Sequence, residues 1–141
     1  MQAHYVTPRL AIVKLTSPLD QDKATQMALR RHRQYHHFFN LSSLRMPEGF
    51  CTDFKWRGNP FSLTETVRIA TQVDSYLRNN AANAALISVS DPLCQQYALS
   101  VCQVYLLFVS QSIEGEGSHP KIMKMTELAH SLTKGQPYLL R

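Results

Sequence analysis

The chain has only five glycines in 141 residues. They form neither a phosphate-cradling loop nor a G-x-S-x-G nucleophile elbow, so the common nucleotide-binding and hydrolase signatures are missing. Cysteine is equally sparse. Cys51, Cys94 and Cys102 make an odd count with no C-x-x-C, which argues against a disulfide framework and for reduced, buried thiols. Carboxylates are few and scattered and suggest no acid–base pair. The first fifteen residues, MQAHYVTPRLAIVKL, contain only the short apolar run LAIV and no small-residue cleavage site. They do not read as a secretory signal, and a cytoplasmic protein is expected.

Charge is missing altogether from Pro92 to Ile113. That run is long enough to suggest a membrane span, but Gln95, Gln96, Gln103 and Gln111 lie within it. Four glutamines in about 20 residues would need internal partners in a bilayer, so a core or interface helix is expected instead, with no membrane partner.

What is present is basic, and unevenly so. Residues 1–57 hold nine Lys/Arg against four Asp/Glu, a net of +5. Residues 58–118 hold two against five, and residues 119–141 four against one. A polyanion should therefore meet the N-terminal third or the tail.

Apolar periodicity suggests a single domain: a basic β-α-β part over about 1–60, a helical part over about 61–135, and a short tail. RLAIVKL, residues 9–15, is β-branched and reads as a strand with Pro8 at its start. A helix is expected over about Lys23 to Asn40, because Ala24, Met27, Ala28, Tyr35, Phe38 and Phe39 share one side of a helical wheel. FCTDFKW alternates and reads as a half-buried strand, with Phe50, Thr52, Phe54 and Trp56 inward. Ser62 to Glu65, S-L-T-E, is a capping box that opens a helix with Leu63, Val67, Ile69, Ala70, Val73, Tyr76 and Leu77 on its apolar half. NNAANAALISVS is ambiguous between helix and strand. Asp91-Pro92 is a good start for the long helix to Ile113. A last helix is expected from His119-Pro120, with Ile122, Met125, Leu128, Ala129 and Leu132 inward. The expected fold is mainly α (α+β): four to five helices around a central apolar helix, with a small two-stranded element near the N-terminus.

The densest chemistry is ALRRHRQYHHFFN, residues 28–40. On a continuous helix Arg30, Arg33 and His37 fall together opposite the apolar stripe, with Arg31 inside the stripe. Lys55 and Arg57 on the neighbouring strand could extend this face. Arginine forks suit phosphate oxygens, so Arg30, Arg31, Arg33, His37, Lys55 and Arg57 form a candidate nucleic-acid-binding set. The plainer alternative is a solvated face with Arg31 snorkelling over the core. His32 and His36 have the i, i+4 spacing of a metal pair, but no paired spacing supplies further ligands and H-E-x-x-H is absent, so no metal is expected. Ala84 to Tyr97 loosely echoes a helix-turn-helix core, with Ser88 in place of the usual glycine; a buried helix is the simpler reading. Trp56 beside Lys55 and Arg57 could stack a base, although its alternation with Phe50 and Phe54 favours the buried side of a strand.

These residues point to a small non-enzymatic protein, without cofactor, that binds nucleic acid through its phosphate backbone. It would act as a regulator or as a small subunit of a nucleoprotein assembly. The alternative is an inhibitor or adaptor that docks a partner protein through the apolar helix or the aromatic strand. Under the nucleic-acid reading Leu93 to Ile113 would be the core of the protein or the interface of a homo-oligomer.

Overall fold

The computed structural model describes residues 1–46, 49–54 and 63–114. Eight elements follow in order: β1 (Gln2–Thr7), β2 (Leu10–Lys14), α1 (Leu19–His32), β3 (His36–Asn40), β4 (Cys51–Asp53), α2 (Leu63–Asn79), β5 (Ala84–Val89) and α3 (Pro92–Glu114). The strands form one five-stranded mixed sheet in the order β1-β2-β5-β3-β4. β1 pairs antiparallel with β2 through a hairpin at Pro8-Arg9, and every other pairing is parallel. This is an α/β fold, and it overturns the expectation of four to five helices around an apolar helix with a two-stranded element.

The differences from the expected architecture have identifiable reasons. The expected helix over Lys23 to Asn40 covers two elements: α1 begins at Leu19 and ends at His32, and His36–Asn40 is a strand. The aromatic positions that seemed to continue the helical stripe are strand residues, with Phe38 and Phe39 on opposite faces of the sheet, each buried in a different cluster. The ambiguous AALISV segment is β5, buried at all six positions because it lies between β2 and β3 with both faces covered. That strand also removes the helix-turn-helix reading. The centre of the fold is therefore β5 rather than the helix after it. The reading of residues 9–15 agrees with β2, and the Asp91-Pro92 helix start agrees with α3. The capping serine Ser62, the strand residues Lys55 to Arg57 and the helix from His119 lie outside the described residues.

Side chains divide by strand alternation into two cores. Leu10, Ile12, Phe39, Ala85 and Ile87 face α2 and α3, meeting Val67, Ile69, Val73, Tyr97, Val101 and Phe108. Ala11, Val13, Phe38 and Leu86 face α1, meeting Ala24 and Ala28. The small alanines let α1 lie close to the sheet. The layering follows from handedness. β2-α1-β3 and β4-α2-β5 step across the sheet in opposite directions, so right-handed crossovers put α1 and α2 on opposite faces.

Candidate functional site

In an open parallel sheet the usual ligand position is the crevice beyond the carboxyl ends of the strands, where neighbouring chain exits turn to opposite faces. Here that point lies between β2, which leaves toward α1, and β5, which leaves toward α3. The protein's own polar groups are paired with one another there. Thr16 donates from both its amide and its hydroxyl to Asp20 Oδ2, each at 2.7 Å. These two bonds hold the Asp20 carboxyl well below the ordinary carboxylate range. Asp91 Oδ1 accepts from the Cys94 amide at 2.8 Å, capping α3. The first residue of that helix, Pro92, has no N–H to offer. No lysine or arginine occurs between Arg78 and Lys121.

Asn40 closes the same end of β3. Its Oδ1 accepts from the Ser42 amide at 3.1 Å, the Ser42 hydroxyl at 2.6 Å and the Ser88 hydroxyl at 2.7 Å. Its Nδ2 donates to the Leu44 carbonyl and to Asp53 Oδ1, both at 2.7 Å. Both amide hydrogens and the carbonyl oxygen are used within the fold, so Asn40 ties the ends of β3, β4 and β5 together and has nothing left for a substrate.

The thiols are equally unsuited to nucleophilic chemistry. Burial pushes Cys51, Cys94 and Cys102 each up to about 12, with the Asp53 charge adding to the effect at Cys51. Cys94 Sγ lies 3.3 Å from the Leu41 carbonyl oxygen. Among the described residues, no three His, Cys, Asp or Glu side chains come together as metal ligands. His32 Nε2 is 2.7 Å from the Tyr5 hydroxyl, and His36 Nδ1 is 2.6 Å from the Arg33 carbonyl. The i, i+4 histidines are thus separated by the turn between α1 and β3.

The basic set divides. Arg30 and Arg31 stand in the last turn of α1 and Arg33 is its C-cap; all three are exposed. Arg31 lies over the Tyr5 ring, 3.8 Å from its centroid, a cation–π contact that sets the orientation of the guanidinium plane. Among the described residues none of the three arginines has a carboxylate partner; the ion pairs there are Met1–Asp20, Arg68–Glu65 and Arg78–Asp74. Arg33 has φ 56° and ψ −133°, the one positive φ at a non-glycine position among the described residues. An L-residue in that conformation is strained by roughly 1–3 kcal/mol.

His37 does not join the arginines. It belongs to β3, on the face covered by α2, with Nε2 2.7 Å from the Thr52 hydroxyl and its ring beside Phe39 and Tyr76. Burial, and secondarily the nearby His36, lower its affinity for a proton, so at neutral pH it is an uncharged ring rather than a phosphate contact. Lys55 and Arg57, like Trp56, lie outside the described residues. The wheel that grouped Arg33 with His37 assumed one helix through residue 40. Tyr5 and Tyr76 went unnoticed as site residues: β1 carried no strand signal strong enough to place Tyr5 beside α1, and Tyr76 read as one more core position of α2.

The architecture is that of an open α/β sheet with helices on both faces. No known protein-family model matches the chain, and no curated protein matches it.

Proposed function

We propose that this chain is a non-enzymatic protein that binds the phosphate backbone of nucleic acid through Arg30, Arg31 and Arg33. The observation that carries the reading is Arg33. A glycine would relieve its positive φ at once, yet the fold keeps an arginine there with its side chain in solvent. Cations at a helix C-terminus are stabilised by the helix dipole by about 0.3–1 kcal/mol. That is enough to rationalise Arg30 and Arg31, but not to favour a strained Arg33 over glycine. Three arginines at one helix end, with no carboxylate partner among the described residues, suit phosphate oxygens, which they engage in pairs. The self-satisfied polar groups at the carboxyl end of the sheet support the non-enzymatic half of the reading. The test is fluorescence polarisation of labelled random oligonucleotides at low and physiological salt. Affinity should fall steeply as salt rises, by counterion release; no binding even at low salt sinks the reading.

A second reading is favoured by the outward side of α3, where Leu93, Leu99 and Leu107 are 36%, 41% and 39% exposed with Gln96 and Gln103 also in solvent. An uncharged leucine–glutamine face presents nothing that repels an identical face, so its occupant would be a second copy of this chain. Sedimentation equilibrium of the wild type and Leu99→Glu tests it: a monomer at high concentration removes the reading.

A further inference from the structure

A cleft of about 490 Å3 opens between the first half of β3, the edge strand β4 and the outward side of α2. Its wall is aromatic. The His37 ring centroid lies 5.1 Å from that of Phe39 and 5.4 Å from that of Tyr76, and the Phe39 and Tyr76 centroids are 6.1 Å apart. Phe39 is buried and forms the floor, whereas His37 and Tyr76 are each partly open to solvent. The rim is polar: Thr52, Gln72 and Ser75 line it, and among the described residues no lysine, arginine or carboxylate does. Neither Gln72 nor Ser75 makes a side-chain hydrogen bond within the described fold, so an amide donor, an amide acceptor and a hydroxyl remain available at the mouth.

This chemistry selects its ligand. With no cation among the described lining residues and an uncharged His37 ring, the described wall offers nothing that selects a phosphate or carboxylate. An aliphatic group would leave the amide and hydroxyl rim unpaired, which a hydrogen-bonding edge would avoid. A flat, uncharged ring with donors and acceptors along one edge satisfies both the wall and the rim. Arg33 and His37 are four residues apart, so their Cα atoms are at most about 14 Å apart, a distance that a few nucleotides of single strand cover. We propose that this cleft holds one unpaired nucleobase of the nucleic acid whose phosphates lie along the α1 arginines, its ring against Tyr76 and His37 and its edge on Gln72. This rests on the phosphate-binding reading above and adds to it a preference for single strands, since a base stacked inside a duplex cannot enter the cleft.

The test compares single-stranded and duplex oligonucleotides of equal length, at low salt, on the full chain and two variants. Tyr76→Ala removes the stacking ring, and base–aromatic stacking of about 1–3 kcal/mol implies a loss of single-strand affinity on the order of tenfold. Gln72→Ala, at a partly exposed helix position that leaves the fold intact, should cost severalfold. Duplex affinity should be unchanged in both. Equal binding of the two forms with no effect of either variant overturns the cleft while leaving the arginine reading in place. If neither form binds the wild type, both fall together.

Discussion

His36 Nδ1 lies 2.6 Å from the carbonyl oxygen of Arg33, and so a buried imidazole clamps the one strained turn between α1 and β3. The His36 ring is itself fixed by stacking on Phe50, with centroids 4.8 Å apart. Because a carbonyl oxygen only accepts, Nδ1 is the donor in this bond. Stability and the proposed binding pull in opposite directions at Arg33. Arg33→Gly should raise unfolding free energy by about 1 kcal/mol while weakening oligonucleotide affinity. Urea denaturation and polarisation on the same sample check both signs. A variant that is less stable than the wild type contradicts the strain argument.

Asn40 should be among the most sensitive positions in the chain. Replacing it with alanine leaves the buried Ser42 and Ser88 hydroxyls without their acceptor and removes the tie to the exposed Asp53, a loss of about 3 kcal/mol. Ser88→Ala removes one bond and its donor together, at about 1 kcal/mol. The separation between the two urea midpoints is the quantity to measure.

The acid limb of stability should carry two contributions of known sign. The Asp20 carboxyl is depressed below its ordinary value near 3.8 by its bonds from Thr16. Its contribution is present above that value and is lost as pH falls through the folded-state value. Asp20→Asn should flatten the stability curve below about pH 4. His37 is depressed below 6.5 by burial. Below pH 6.5 the unfolded chain takes up its proton first, so stability declines as pH drops through that window. Titrating the His37 ring by NMR should give a value below 6.5; a value above it would refute the buried, uncharged ring.

The three cysteines should react slowly with a thiol reagent in the folded protein at pH 8, because thiols pushed up to about 12 are almost wholly protonated there. All three should react at once in urea. Rapid labelling of Cys51 under native conditions would show an accessible thiolate instead.

The elements that were legible in the sequence have a clean period or a strong start signal. RLAIVKL is β-branched, residues 64–78 keep a helical apolar half, and Asp91-Pro92 announces α3. The boundary at Arg33 was not legible because the usual punctuation is missing: no glycine or proline stands between Ala28 and Asn40, and an arginine fills the position that glycine would mark. AALISV could not be typed because a central parallel strand covered on both faces has no alternation to read. The grouping of Arg30, Arg31 and Arg33 does not depend on that boundary, since all three stand at the end of α1 whatever follows. His37 did not, because changing its element moved it to another face of the sheet.

The most direct test of the central claim is the salt dependence of oligonucleotide affinity for the wild type and the Arg30→Glu/Arg33→Glu double variant. If each arginine neutralises one phosphate, the logarithmic slope against salt should become shallower by about 1.4 for single strands or 1.8 for duplex. Affinity at low salt should fall with it, while the variant stays folded with an unfolding midpoint lowered only by the loss of favourable charge at the helix C-terminus. An unchanged slope and affinity in a folded double variant would contradict the account and leave these arginines as a solvated helix end.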